Sequence, residues 1–222
     1  MIVAERKPIE EILPWLEGVR SVLVLGCNEC VTVCEAGGKK EVGLLASALR
    51  MVFAQQGREV NVGERTLERQ CDPEYLNELR DAIDAYDAVV SLACGVGIQF
   101  TAERYPSKAV YPGVNTCFMG AALERGVWAE RCQGCGQCLL ALTGAVCPVA
   151  RCAKRLFNGP CGGSTAGKCE IGPDVECAWQ RIIDRLKALG RLADYETLIP
   201  VKDWSKDRAG GPRKVVREDV RS

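Results

Sequence analysis

The chemistry available to this chain is set by its cysteines, because its 222 residues include 14 cysteines and no histidine. Without an imidazole there can be no Ser–His–Asp triad, no Cys–His nucleophile pair and no Rieske centre. Iron sites built on two histidines and zinc fingers with paired histidines are excluded for the same reason. Any metal that this chain binds must therefore be held mainly by thiolates.

The first group of cysteines is Cys27, Cys30 and Cys34, with the spacing C-x2-C-x3-C. Closely spaced thiols of this kind allow one loop to supply three ligands to a [4Fe–4S] cluster. The fourth ligand must come from elsewhere: Cys94 is the first candidate, since it ends a predicted strand, and Cys71 is the alternative. A redox-active pair of Cys27 and Cys30 is the competing interpretation.

The second group lies in a segment rich in glycine and proline. It contains eight cysteines: Cys132, Cys135, Cys138, Cys147, Cys152, Cys161, Cys169 and Cys177. Its first half has the spacing C-x2-C-x2-C-x8-C-P. This spacing is similar to the bacterial ferredoxin motif C-x2-C-x2-C-x3-C-P, but more residues separate the last two cysteines. Eight thiolates are enough for two [4Fe–4S] clusters, or for one cluster and a zinc ion. Structural zinc ribbons are the competing interpretation, although ribbons prefer paired C-x2-C knuckles.

A phosphate-binding motif and one further cysteine are not expected to bind a ligand. Residues 162–168 match the start of a phosphate-binding loop, but Cys169 occupies the position of the magnesium-binding Ser or Thr. Cys117 is predicted to be a buried small apolar residue rather than a ligand.

The charge balance and the apolar runs of the sequence argue against nucleic-acid binding and against a membrane span. Lysine plus arginine equals aspartate plus glutamate at 29 each, so the basic excess typical of a nucleic-acid-binding protein is missing. No apolar run approaches the roughly 18 residues of a membrane span. The first 20 residues carry acidic residues and Pro8 and lack an apolar h-region, so no secretory signal is expected. We therefore expect a cytoplasmic chain, in which metal binding by cysteines is favoured over disulfides.

Residues 1–125 alternate between short apolar runs and amphipathic segments. The predicted strands are 21–25, 59–62, 87–93 and 108–111, and the predicted helices are 40–55 and 73–86. This alternation predicts an α/β domain with a parallel sheet, either Rossmann-like or flavodoxin-like. Because the carboxyl ends of parallel strands share one edge, Cys94 is expected beside the loop that carries Cys27.

Residues 126–195 are predicted to form a small, cysteine-rich, ferredoxin-like metal-binding domain that ends in a helix. Asp174 is the expected N-cap of that helix, Trp179 begins its apolar stripe, and Gly190 is the expected stop. Residues 196–222 are predicted to be a charged tail, ordered only on a partner surface or not at all. Trp204 is the one large apolar anchor of its charged end.

The cysteine motifs also resemble a known family. The strings GCNECVTVCEAGGKKEV, SLACGVGIQ, ERCQGCGQCLLALTGAVCPVARCAKRLFNGPCGG, GKCE and CAW occur in this order. Together they resemble the small iron–sulfur and zinc-associated subunit of acetogen-type methylenetetrahydrofolate reductase, the methylenetetrahydrofolate reductase C-terminal domain family. The resemblance covers about residues 1–190 and is most specific over residues 131–179.

The resemblance implies an iron–sulfur electron-transfer subunit that passes electrons between an external donor and the flavin of a partner, the catalytic methylenetetrahydrofolate reductase subunit. Further electron-donor subunits are left open. The implied ligands of its metals are Cys27, Cys30, Cys34, Cys94, Cys132, Cys135, Cys138, Cys147, Cys152, Cys161, Cys169 and Cys177. These suffice for two or three [4Fe–4S] clusters, and one site is open to zinc. The alternatives are a zinc-stapled structural adaptor and an independent cysteine-based redox enzyme.

Overall fold

The computed structural model describes residues 1–208 and 211–221. The chain forms two compact units, Met1–Ala129 and Glu130–Ser222. The described part of the chain contains no helix that is long and apolar enough to cross a membrane.

The first unit is a mixture of strands, α-helices and short 3-10 turns. In chain order its strands and α-helices are β1 Ile2–Arg6, α1 Ile9–Ile12, β2 Ser21–Cys27, α2 Cys30–Val33, α3 Lys39–Gln55, β3 Asn61–Leu67, α4 Pro73–Leu76, β4 Ala88–Ser91, α5 Gly95–Arg104, β5 Ala109–Pro112, β6 Val114–Glu124 and β7 Val127–Cys132, the last of which continues into the second unit.

The centre of the first unit is a four-stranded sheet in the order β3-β2-β4-β5, and its neighbouring strands are all parallel. Strand β2 is buried on both faces. Its alternating side chains place Val22 and Val24 in one apolar cluster and Leu23 and Leu25 in the other. The predicted α/β fold with a parallel sheet is therefore confirmed, and each predicted strand overlaps an observed one.

Helix α3 covers one face of this sheet, as its apolar stripe predicted. Val42, Leu49 and Phe53 are buried in the same cluster as Val22. The helix begins after Gly38, whose backbone N–H donates to the Glu41 carboxylate at 3.0 Å. This bond satisfies one of the free backbone donors in the loop that precedes the helix.

The helix predicted over residues 73–86 is wrong. The structure has α4 followed by separate 3-10 turns at Asn77–Leu79 and Ile83–Ala85. In a continuous helix the Leu76 carbonyl would accept the N–H of Arg80. Here it accepts the Tyr105 hydroxyl instead, and the N–H of Arg80 donates to the Asn77 carbonyl.

A second sheet, of order β1-β6-β7, has no counterpart among the predicted elements. Strands β1 and β6 are antiparallel, and their register shifts between Val3, which pairs with Phe118, and Ala4, which pairs with Thr116. Cys117 is therefore the extra residue of a β-bulge. Its side chain is exposed, so the prediction that Cys117 is buried is wrong.

The second unit contains little regular structure. Its strands and α-helices after β7 are α6 Pro148–Arg151, β8 Ser164–Thr165, β9 Lys168–Cys169 and α7 Ala178–Ala188. Its small core is formed by Val146, Trp179, Ile182 and Leu186. A ferredoxin-like arrangement of this unit is not confirmed.

Helix α7 ends as predicted but begins later. Gly190 has a φ of +68°, and the N–H of Arg191 donates to the Leu186 carbonyl at 2.8 Å, as in a Schellman motif. The N-cap is Cys177 rather than Asp174. Just before the helix, Glu176 pairs with Lys168 of β9, and the Cys177 N–H donates to the Gly167 carbonyl at 2.9 Å. These two residues are bound to the β8–β9 hairpin, so the helix begins after them.

Candidate metal centres

The first candidate centre lies at the carboxyl edge of the parallel sheet. Cys27 is the last residue of β2, Cys71 lies in the loop after β3, and Cys94 precedes α5 in the loop after β4. Cys30 is the first residue of α2, three positions beyond Cys27. The topology thus brings thiols from three separate loops to one edge of one sheet.

The thiol of Cys27 points toward the loop after β3. Its Sγ lies 3.6 Å from the carbonyl oxygen of Glu68, and the side chain is only 8% exposed. Burial raises the pKa of this thiol above its ordinary value, and the nearby thiols of Cys71 and Cys94 raise it further. Cys27 is therefore the innermost sulfur of this edge.

A buried glutamine fixes the loop that carries Cys71. The Gln70 side chain is fully buried and donates to the Leu25 carbonyl at 3.1 Å and to the Gly26 carbonyl at 2.9 Å. Its amide oxygen accepts the Ser91 hydroxyl at 2.7 Å. One side chain thus ties the loop after β3 to the ends of β2 and β4.

An ion pair holds the same loop to the residue before Cys30. The Arg69 guanidinium donates from both Nε and Nη2 to one carboxylate oxygen of Glu29, at 3.2 and 3.0 Å. This bond raises the pKa of Arg69, and the pair remains on the surface.

The thiol of Cys34 is directed into the core. It is 6% exposed, and its Sγ lies 3.4 Å from the backbone nitrogen and 3.5 Å from the carbonyl oxygen of Ala4, in β1. Burial raises the pKa of this thiol as well. Cys34 therefore packs in the apolar cluster of the first unit.

In the second unit, several of the eight cysteines flank short elements. Cys132 ends β7, Cys147 and Cys152 bound α6, Cys169 ends β9, and Cys177 caps α7. The other three, Cys135, Cys138 and Cys161, lie in loops.

Two sulfurs of this unit accept backbone hydrogen bonds. Gly134 N–H donates to Cys132 Sγ at 3.3 Å, and Gly163 N–H donates to Cys161 Sγ at 3.4 Å. The Lys154 ammonium also lies 3.6 Å from the Cys161 sulfur. The N–H of Gly163, with the charge of Lys154, lowers the pKa of Cys161. Donors of this kind stabilise a thiolate and suit a metal ligand.

The predicted tail contributes to the second cysteine group. Lys202 is buried, and its ammonium donates to the Cys135 carbonyl at 2.7 Å. The N–H of Asp203 donates to the Gln137 side chain at 2.7 Å. The segment around residue 202 thus braces the loop between Cys135 and Cys138.

All 14 cysteines are free thiols. Within residues 1–208 and 211–221, no three cysteine, aspartate or glutamate side chains are spaced as the ligands of one metal ion. The donor set nevertheless fits thiolate-bound metals, since it consists of soft sulfur ligands on loops with backbone N–H groups aimed at some of them. Metal binding would have to draw these side chains together.

Sequence reasoning missed three residues that position the thiols: Arg69, Gln70 and Lys202. The burial of Gln70 and Lys202 follows from contacts with distant segments, so no local pattern marks them. Arg69 lies two positions before Cys71, a closeness that could have suggested a role.

Fold and site together define a class: a protein with an α/β unit and a cysteine-rich unit, each with several free thiols. Residues 111–205 match the family described as methylene-tetrahydrofolate reductase C terminal. This segment contains all eight cysteines of the second group, and the match supports the family that the sequence motifs predicted. No curated protein and no solved structure is significantly similar to the chain.

Proposed function

We propose that this chain is the iron–sulfur electron-transfer subunit of a flavin-dependent methylenetetrahydrofolate reductase complex. It passes electrons between an external donor and the flavin of a partner subunit, and it has no substrate site of its own. The observation that carries this proposal is the family match over residues 111–205, which encloses the whole second cysteine group.

The family description supports association with a methylenetetrahydrofolate reductase-type subunit, which is the proposed partner. The proposed cofactors are two or three [4Fe–4S] clusters, bound by the two cysteine groups. When bound, such clusters supply reversible one-electron transfer. Zinc is proposed as the alternative occupant of one site in the second unit.

The chain's own residues set the conditions for electron transfer. The glycine N–H groups that donate to Cys132 and Cys161 stabilise negative charge on these sulfurs. Hydrogen bonds to sulfur, nearby charge and solvent access are the properties by which a protein tunes a cluster's potential. The positive charge of Lys154, near Cys161, stabilises negative charge on that sulfur as the N–H groups do.

The first unit supports the proposal as a scaffold. In order of appearance along the chain, its parallel strands are arranged second, first, third and fourth. This order is that of flavodoxin-like sheets, whereas the classic Rossmann order begins 3-2-1. We therefore favour the flavodoxin-like alternative. Such sheets bind ligands at their carboxyl edge, which is the edge that carries Cys27, Cys71 and Cys94.

The experiment is an anaerobic electron transfer to a flavin-bearing methylenetetrahydrofolate reductase subunit from the same organism. The chain is reduced with dithionite, freed of excess reductant and mixed with the oxidised partner. We expect bleaching of the flavin absorbance, together with coelution of both proteins on gel filtration. Coelution without flavin reduction would contradict the electron-transfer role and leave an adaptor.

A zinc-stapled structural adaptor is the second candidate function, and the β8–β9 hairpin favours it. Ser164 in β8 pairs with Cys169 in β9, and Cys161 precedes the hairpin with its sulfur facing the N–H of Gly163. Cys161 and Cys169 would supply two of the four thiolates that a structural zinc ion needs. A colourless chain with stoichiometric zinc and no iron would favour this function.

A further inference from the structure

We infer that the ligands of the first metal site are Cys27, Cys30, Cys71 and Cys94, and that Cys34 is a structural thiol. The inference rests on the proposed function, since it names the residues that would hold the metal in the first unit. It replaces one member of the ligand set that the spacing C-x2-C-x3-C suggests.

The first step is the direction of the Cys27 side chain. Its Sγ lies 3.6 Å from the Glu68 carbonyl, so it faces the loop that leads from β3 to Cys71. The backbone after Cys27 is also bound to the end of β3, because the N–H of Asn28 donates to the Leu67 carbonyl at 2.9 Å. The innermost sulfur is therefore turned toward the Cys71 loop.

The second step is that the Cys71 loop is fixed beside both neighbouring loops. Gln70 binds the carbonyls of Leu25 and Gly26 at the end of β2. Arg69 binds Glu29, the residue before Cys30. Cys71 follows these two anchors directly, so its backbone is held next to the segment that carries Cys27 and Cys30.

The third step places Cys94 at the same loop. Gly97, in the first turn of α5, packs against Gln70 so closely that a Cβ on Gly97 would lie 2.9 Å from the Gln70 Cβ. The Thr101 hydroxyl, one turn further along α5, lies 3.3 Å from the Gln70 amide oxygen. The start of α5, with Cys94 as its N-cap, therefore abuts the loop that carries Cys71.

The fourth step concerns Cys34. Its sulfur contacts the backbone of Ala4 on both the nitrogen and the oxygen, and the Val31 carbonyl at 3.6 Å. These contacts turn it toward β1, and to become a ligand it would have to leave the apolar core. Cys71 is exposed, so its side chain can move to a metal without loss of packing.

The test compares metal content in four variants of the full chain, purified anaerobically: Cys71→Ala, Cys94→Ala, Cys34→Ala and Cys117→Ala. Cys117 is the matched control, because it is a cysteine of the same unit that lies in the exposed bulge of β6. Iron, acid-labile sulfide and zinc are measured per chain, and circular dichroism checks the fold. Electron paramagnetic resonance of the reduced protein counts the remaining clusters.

We expect Cys71→Ala and Cys94→Ala to lose the same metal, about four iron and four sulfide for one cluster, while Cys34→Ala and Cys117→Ala keep the wild-type content. A folded Cys71→Ala variant with full metal content would overturn the ligand set, whatever Cys34→Ala does. A wild-type chain without any metal would instead overturn the proposed function, and the inference with it.

Discussion

The side-chain amide of Gln70 and the hydroxyl of Ser91 form a fully buried hydrogen bond of 2.7 Å at the carboxyl edge of the parallel sheet. Through it, the loop after β3 is fixed to the end of β4, while the same glutamine binds the end of β2. The three segments that follow β2, β3 and β4, which carry Cys30, Cys71 and Cys94, therefore share one polar anchor. Replacing this anchor tests directly how the site is built.

Replacing this anchor should weaken both the fold and the first metal site. Gln70→Ala removes the partner of the buried Gly26 carbonyl and of the Ser91 hydroxyl. Since an unsatisfied buried polar group costs about 1–3 kcal/mol, we expect the free energy of unfolding to fall by about 2–4 kcal/mol. Urea denaturation measures it. Gln99→Ala is the control, because Gln99 is exposed and binds only within its own helix; an equal loss there would contradict the anchor role.

Two glycines of the first unit should respond to alanine in opposite directions. A Cβ on Gly37 would clash with the Leu92 backbone carbonyl, so Gly37→Ala should displace the loop before α3 and destabilise the unit by about 2 kcal/mol or more. Gly43 lies inside α3, where a Cβ would make only an ordinary contact of 3.7 Å with Glu64. Gly43→Ala should therefore stabilise the chain by about 0.5–1 kcal/mol.

Thermal and urea unfolding of both glycine variants measure these two changes in stability. If Gly37→Ala were neutral, the close approach of this loop to the end of β4 would be refuted.

In the second unit, Trp179 should be the residue on which the small core depends most. It is 4% exposed, and its indole N–H donates to the Leu156 carbonyl at 3.0 Å. Trp179→Ala should cost about 3–5 kcal/mol, as is typical of buried tryptophans. Trp204 is the matched control: it is 43% exposed, and its replacement by alanine should cost clearly less. Equal losses would show that α7 is not packed through Trp179.

Thiol reactivity should differ with pH between the two units. The N–H of Gly163 and the charge of Lys154 lower the pKa of Cys161, whereas burial raises the pKa of Cys27. In the metal-free chain, alkylation by iodoacetamide should therefore begin at a lower pH for Cys161 than for Cys27, since the thiolate is the reactive form. Mass spectrometry of the labelled peptides gives both profiles.

The contribution of the Lys154 charge to the pKa of Cys161 can be tested separately. Lys154→Gln should move the Cys161 profile toward higher pH, while Lys168→Gln, on the nearby strand β9, should leave it in place. Identical profiles for Cys161 and Cys27 would rule out the electrostatic environment described above.

Much of the central sheet could be predicted from the sequence, because short β-branched apolar runs such as residues 21–25 are typical of buried parallel strands. The grouping of Cys27 and Cys94 at one edge follows from that topology. The break after α4 could not be predicted, because it depends on the hydroxyl of Tyr105, which is distant in the sequence.

The orientation of Cys34 could not be predicted for a related reason. Its sulfur is held by the backbone of Ala4 in β1, a strand that pairs with β6 over a long sequence separation. The same pairing creates the bulge that exposes Cys117. Without the second sheet, spacing alone makes Cys34 look like a ligand and Cys117 look like a core residue.

The most direct test of the central claim is the metal content of the intact chain, purified without oxygen. We predict a brown protein that dithionite bleaches and that contains at least about eight iron and eight acid-labile sulfide per chain, with zinc in no more than one site. A colourless chain without iron, or one whose cysteines are joined in disulfides, would contradict the electron-transfer role.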